Sequence, residues 1–227
     1  MIRFEDVEFS YAGGPPVLEG LTFALAAKQN LSVVGPSGCG KSTLLNLLLG
    51  AARPARGKVF FMDKEILGPS RDRMIVFQHH ALFPWLTALG NVRFSLETQT
   101  PLSPGADEQA LHWLRRFGLE KFRDYYPREL SGGMQQRLGI ARALASSPRL
   151  LLLDEPFSSL DAILRRSIFE DMTQMIRVEE KTAVLVTHDV SEALRFAERI
   201  LILGGRRSIF GESSRFTEEE IYAHWKT

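Results

Sequence analysis

A single cysteine, Cys39, is all the thiol this chain of 227 residues contains. No intramolecular disulfide can form, and a reducing compartment fits. Long hydrophobic runs are missing as well. The most apolar stretches, such as Leu150 to Leu153, stop after a few residues, whereas a membrane span needs about 20. The chain is not expected to cross a bilayer, and a place at a membrane would have to be held by another protein. The opening residues, Met1 to Asp6, show no basic stretch followed by an apolar one, so no secretory signal is expected. Nor is there an excess of basic charge: 28 Lys and Arg against 27 Asp and Glu leave +1. Proteins that grip nucleic acid non-specifically usually carry such an excess, which argues against DNA or RNA as the main partner.

What the chain does have is 44% hydrophobic and 24% charged residues, enough for one substantial core, alone or with a satellite subdomain. Near-alternate apolar residues predict strands over Ile2 to Phe9, Leu21 to Leu25 and Lys58 to Met62. Gly13-Gly14-Pro15-Pro16 and Arg53 to Gly57 read as turns. A buried strand, Leu31 to Val34, runs into a glycine-rich loop, and a helix follows from Lys41 to Gly50, a C-cap residue. Met74 to Phe77 is a further short strand. From about Thr87 to Ser146 the strand signal vanishes, and Ala106 to Phe117 is helical with Ala110, Leu111, Leu114 and Phe117 on one face. The continuously apolar runs Leu150 to Leu153, Ala183 to Val186 and Ile200 to Leu203 suit parallel strands buried on both faces. A helix between the first two carries Leu164, Ile168, Met172 and Met175 on its inner face. Strand alternating with helix is the grammar of an α/β fold.

Gly35-Pro36-Ser37-Gly38-Cys39-Gly40-Lys41-Ser42 matches the spacing of a phosphate loop, with a strand before it and a helix after it. Glycines let consecutive backbone N–H groups converge on phosphate oxygens, and the helix N-terminus adds partial positive charge. Lys41 is placed to reach the β- and γ-phosphates of ATP and Ser42 to ligate Mg²⁺. Gly35, Ser37, Gly38, Cys39, Gly40, Lys41, Ser42 and Thr43 form the expected nucleotide-binding set. Cys39 lies near a helix N-terminus, where thiolates are favoured; the bland alternative is a small filler.

Leu150 to Leu153 end in Asp154-Glu155-Pro156. A buried strand delivers its C-terminal end to the ligand crevice of an α/β sheet. Asp154 is expected to hold Mg²⁺, directly or through water, and Glu155 to polarise the attacking water as general base. Positioning and charge stabilisation then suffice for phosphoryl transfer to water, and no protein nucleophile is needed. A second glycine motif, Leu130-Ser131-Gly132-Gly133-Met134-Gln135-Gln136-Arg137, opens another helix, with Ser131 as N-cap and Gly132 and Gly133 leaving the terminus open to an anion. Leu138, Ala141 and Ala145 continue its face. A two-fold dimer explains a second phosphate-shaped helix start, because the motif of one subunit can close over the γ-phosphate held by the other.

With Leu-Ser-Gly-Gly-x-x-Gln-Arg added to the two nucleotide motifs in order, nearly the whole chain resembles the ATP-binding cassette (ABC) family of transporters. The resemblance implies an α/β fold, a P-loop NTPase (RecA-like) core with an N-terminal antiparallel β-subdomain and an inserted α-helical subdomain. The core would comprise residues 1–86 and 147–227, and the helical signature subdomain residues 87–146. It implies that Tyr11 stacks on adenine and that Gln78 contacts Mg²⁺ and the water. It implies that Ser158 to Asp161 cross the dimer seam and that His188 touches the γ-phosphate. Beside these stand plain structural roles: a turn aromatic for Tyr11, a polar strand end for Gln78, a strand-ending hydrogen bond for His188. His79, His80, His112 and His224 match no ligand spacing, and Trp113 fits helix packing.

The run Val76 to Thr87, with its Pro84-Trp85-Leu86-Thr87 element, is similar to importers for nitrate, sulfonates and taurine. Gly90 stands where that branch usually has glutamate, and Met134 where the signature commonly has glutamine. The expectation is a peripheral ATPase on the cytoplasmic face of the membrane. It would be paired as a homodimer or with another cassette, and coupled to integral membrane permease subunits and, indirectly, to a substrate-binding protein. A soluble cassette and an exporter cassette are the alternatives. Phe83 and Trp85 are the expected anchors of a docking groove, while Leu82 and Leu86 divide between groove and core.

Overall fold

The computed structural model describes residues 1–77, 81–97, 105–158, 160, 162–204 and 208–225. They form two compact units. The first comprises Met1–Arg73, Leu152–Glu155 and Thr182–Thr227, and the second Met74–Leu151 and Pro156–Lys181.

The first unit holds two sheets. One is antiparallel and contains β1 (Ile2–Ser10), β2 (Pro16–Leu25), β4 (Arg56–Phe61) and the short β5 (Lys64–Glu65), in the order β2-β1-β4-β5. Alternation buries Ile2, Phe4, Val7 and Phe9 on one face of β1, and Phe4 stacks on Phe23 of β2 at 4.6 Å. The period slips once. Asp6 takes φ +48° and donates its N–H to Thr22 Oγ1 at 3.0 Å, so Val7 returns to the inner face. Both flanking strands run longer than their apolar alternation suggests. β2 starts at Pro16, and β4 at Arg56 inside the expected turn, because pairing with β1 continues past the last buried side chain.

The other sheet contains β3 (Leu31–Val34), β7 (Leu150–Asp154), β8 (Thr182–Val186), β9 (Arg199–Ile202) and β10 (Ile209–Glu212), and within this unit its order runs β10-β9-β3-β8-β7. β3 pairs in parallel with both β8 and β9, with Leu31 opposite Val184 and Arg199. Every residue of β3 and β8 is buried, as expected of central parallel strands. α1 (Lys41–Leu49) buries Leu44, Leu45, Leu47 and Leu48 and stops at Gly50, whose φ of +84° lets its N–H cap the Asn46 carbonyl.

Two helices had left little sequence signal. α6 (Val190–Phe196) starts on an Asp189 cap, and α7 (Glu218–Trp225) on a reciprocal cap between Thr217 and Glu220. Ile221 of α7 packs with Val34, Val190, Ala193, Ile200 and Ile202.

The second unit starts within β6 (Arg73–Val76) and is otherwise helical: α2 (Ala88–Glu97), α3 (Ala106–Arg116), α4 (Gly132–Ala145) and α5 (Ala162–Val178). The inner face expected of α3 is buried at Ala110 and Leu114, with Phe117 just beyond the helix. α2, which carries no strong apolar period of its own, is fixed by Asn91. That side chain is fully buried and accepts the Phe83 N–H at 2.9 Å while its amide donates to the carbonyls of Phe83, Leu86 and Thr87 at 3.0–3.1 Å.

Asn30 performs a comparable task in the parallel sheet. Its Oδ1 accepts the Ala183 N–H at 2.9 Å, and its own N–H reaches Glu198 Oε2 at 2.8 Å. Asn30→Ala leaves a buried β8 N–H without an acceptor, and a loss of about 1–3 kcal/mol is expected. Urea denaturation checks this; an unchanged midpoint would show that the bond is dispensable.

Candidate functional site

Three strand ends of the first unit converge. β3 leads through Gly35 into the glycine loop, β7 ends at Asp154, and β8 is followed by Thr187 and His188. The loop is tightly built. A Cβ on Gly35 would meet Cys39 Sγ and the Leu203 carbonyl oxygen, each at 2.5 Å. Gly40, at φ +101°, would press a side chain against Leu18 and Val17 at 2.9–3.0 Å. It stands at the N-cap of α1 with no side-chain cap, so the first N–H groups of the helix keep their capacity for an anion. Lys41 is buried, and its ammonium donates to the carbonyls of Gly35 at 2.8 Å and Pro36 at 2.9 Å. Ser37 and Gly38 are exposed. Tyr11 is 54% exposed. Its hydroxyl lies 2.8 Å from Thr43 Oγ1, and its ring meets Phe9 edge-on at 4.9 Å.

The acidic pair sits beside this loop. Ser42 Oγ donates to Asp154 Oδ1 over 3.5 Å, a long contact. Burial pushes the Asp154 carboxyl above its ordinary range, and the neighbouring Glu155 charge adds to this, while the Ser42 hydrogen bond and Lys41 pull it back. Glu155 takes φ +45°, a conformation that costs a non-glycine residue about 1–3 kcal/mol. Its N–H donates to the Val186 carbonyl at 3.0 Å, and Glu155 Oε2 lies 3.1 Å from His188 Nδ1. The geometry therefore brings Lys41, Ser42, Asp154, Glu155 and His188 together in one unit.

Ser131, Gly132 and Gly133 belong to the second unit, where Ser131 caps α4 by accepting the Met134 N–H at 3.3 Å. Gln78, Ser159 and Asp161 lie outside the described residues, as do His79 and His80.

Cys39 departs from expectation. Burial raises its thiol above the usual value, and the nearby Lys41 charge only partly offsets that. The thiolate is disfavoured because desolvation in the packed loop outweighs the helix N-terminus.

The network behind His188 escaped the sequence reading. The Thr187 N–H donates to the Val33 carbonyl at 3.2 Å, and its hydroxyl donates to Glu192 Oε2 at 3.1 Å. Asp189 N–H donates to Thr187 Oγ1 at 3.0 Å, and Glu192 N–H to Asp189 Oδ1 at 3.0 Å. The cap spacing from Asp189 to Glu192 was the available signal.

A phosphate loop joined to an acidic strand end and a paired carboxylate and imidazole is a nucleotide-hydrolysing site. Residues 18–158 match the family described as ABC transporter, and the chain belongs to that family as its ATP-binding and ATP-hydrolysing cassette.

Among its relatives, an ATP-binding protein of Brucella abortus is 41% identical over 205 residues, 90% of this chain and 78% of that protein. The taurine import ATP-binding protein TauB of Yersinia pestis is 43% identical over 190 residues, 84% of this chain and 74% of its own. A solved dimeric ATP-binding cassette in a post-hydrolysis state, bound to ADP and Pi, superposes with a TM-score of 0.80 at 33% identity, covering 92% of this chain and 98% of that one. Among the described residues no helix is long and apolar enough to cross a membrane.

The raised Asp154 carboxyl sets a pH dependence. A folded-state value above the unfolded one means that the native protein loses stability as pH rises through the carboxylate range. Asp154→Asn removes the charge while keeping the shape. The variant's thermal midpoint, without nucleotide or divalent cation, should exceed that of wild type at pH 7, and the gap should close as pH falls below about 4. A variant less stable than wild type at pH 7 would contradict the assignment.

Proposed function

We propose that the chain is the ATPase subunit of an importer, docking on the cytoplasmic face of a membrane against permease subunits. The observation that carries the ATPase part is the close grouping of Lys41, Ser42, Asp154, Glu155 and His188 in one unit. Similarity to a taurine import protein supports a small anionic or zwitterionic solute, such as taurine, another sulfonate or nitrate, delivered by a separate substrate-binding protein.

On this reading the loop from Gly35 to Thr43 cradles the phosphates, with Lys41 giving up its loop carbonyls for phosphate oxygens. Tyr11 offers its exposed ring to adenine. Ser42 and Asp154 form a pair of hard oxygen donors that suits Mg²⁺, and the cost of burying the Asp154 charge favours a divalent cation there. Mg²⁺ would supply charge neutralisation for the phosphates. Glu155 accepts a proton from the attacking water, and His188, hydrogen-bonded to Glu155, orients that carboxylate and contacts the γ-phosphate. Gln78 is assigned to the water and the metal. Ser131, Gly132, Gly133 and Asp161 belong to a site completed by a second cassette. Residues 87–146 form the subdomain that presents Ser131, Gly132 and Gly133.

The contact with the permease is assigned to an aromatic patch of the second unit. Trp85 is 70% and Phe94 44% exposed. Phe83 lies between them, 5.5 Å from Trp85 and 4.6 Å from Phe94. The Arg142 guanidinium lies 5.2 Å from the Phe83 ring and donates to the Ala81 carbonyl. Leu82 and Leu86 are half-buried. Aromatic and arginine clusters are frequent interface anchors.

Glu155→Gln keeps shape and removes the base. ATP binding should persist, hydrolysis should fall at least about 100-fold, and size-exclusion chromatography with ATP should show a lasting dimer. Turnover near that of wild type would remove Glu155 from the base role.

Phe83→Ala with Trp85→Ala should leave ATP binding by the isolated subunit nearly unchanged. Co-purification with the permease from solubilised membranes should fall about tenfold or more. Normal assembly and transport would place the coupling surface elsewhere.

A further inference from the structure

The second unit contains a cavity of about 430 Å³ that the nucleotide reading leaves unused. It lies where α3 ends, against α4 and α5. Phe117 and Met175 give it an apolar lining, and Arg116, Arg137, Asp171 and Gln174 its polar one. Its size is at the small end of the range for ligand sites, about 300–1,000 Å³.

The polar groups are not equivalent. Arg116 is engaged: its guanidinium pairs with Glu179 at 2.5 Å and lies 5.0 Å over the Trp113 ring. Arg137 is not. Its Nε is shut off from solvent without a hydrogen-bond partner, and the side chain makes no ion pair among the described residues. Asp171 and Gln174 likewise make no hydrogen bond or ion pair among the described residues. A cation and an anion thus line one cavity without pairing with each other. The enclosed Arg137 Nε–H, left without an acceptor, is costly, and a carboxylate lining the same cavity disfavours a plain anion as the guest. The matching guest carries both charges on a short apolar body.

We propose that this cavity binds a small zwitterion, an aminoalkyl carboxylate or sulfonate. Its acid group lies on Arg137, its ammonium on Asp171, and its methylenes against Phe117 and Met175. Gln174 can donate to the acid or accept from the ammonium. The site is independent of the nucleotide loop and needs no second subunit.

Calorimetric titration of the full, nucleotide-free chain with β-alanine and taurine tests this, with acetate and ethylamine as probes carrying one charge each. At least one zwitterion should bind saturably with a dissociation constant on the order of 1 mM or tighter. Each single-charge probe should bind at least about tenfold more weakly, since a charged hydrogen bond is lost. Asp171→Asn, a substitution at an exposed position, should weaken the zwitterion at least about tenfold while ATP binding in a filter assay stays normal, and Arg137→Gln should weaken it at least as much. If Arg137→Gln fails to fold, Asp171→Asn decides alone. Absence of saturable binding at about ten times the expected constant, equal affinity for acetate, or an unchanged affinity in Asp171→Asn overturns the proposal. A failure of ATP hydrolysis in other experiments leaves these readings untouched.

Discussion

The parallel pairing of β3 with β8 is the constraint on which the site rests. With Leu31 opposite Val184 and Val33 opposite Val186, both strands point their C-terminal ends the same way. One end continues into the phosphate loop and the other into Thr187 and His188. β7, next to β8 in the sheet, ends in Asp154 and Glu155. Charged and glycine-rich segments gather at one edge because strands buried on both faces have no other place to discharge polar residues. A register slip between β3 and β8 would break the Thr187 N–H to Val33 carbonyl bond, and a slip between β7 and β8 would break the Glu155 N–H to Val186 carbonyl bond.

This arrangement stores cost at the point of chemistry. Asp154 is half-buried beside another carboxylate, and Glu155 holds a left-handed backbone angle at φ +45°. Neither would survive in a chain selected for stability alone. The strain turns Glu155 out of the line of β7 and toward His188, while Asp154 keeps the last strand position beside Ser42. Two adjacent acids on a regular strand would point to opposite faces. The positive φ is what allows both to serve one site.

Elements with an internal period were legible in the sequence. The apolar runs of β3, β7 and β8 and the inner face of α3 could be read directly, because burial on a fixed face leaves a pattern. The phosphate loop was legible for a different reason: its glycines are demanded by backbone angle and close approach, which few other residues satisfy. α6 and α7 were not legible. Each is short, and each is held by a cap and by contact with residues distant in sequence, such as Ile221 against Val34 and Ile200. The Cys39 thiol was misread because proximity to a helix terminus is visible in sequence and burial is not. The Asn91 knot was missed because a lone asparagine carries no period.

The two helix starts rich in glycine differ in a way that bears on their use. α1 begins at Gly40 with no side-chain cap, so no N-cap side chain competes for its first N–H groups. α4 begins at Ser131, whose hydroxyl already accepts the Met134 N–H. An anion at α1 therefore meets a terminus with no N-cap side chain, backed by Lys41, the stronger of the two sites on electrostatic grounds. An anion at α4 must share the terminus with Ser131 and, among the described residues, finds no buried lysine beside the cap. On the proposed reading this asymmetry gives an order of events. Nucleotide binds first and firmly at α1 of one cassette, and α4 of the other adds its weaker grip only once the two are brought together. The weakness of that second grip is useful, since a closure that must reopen after each hydrolysis cannot rest on two equally strong phosphate sites.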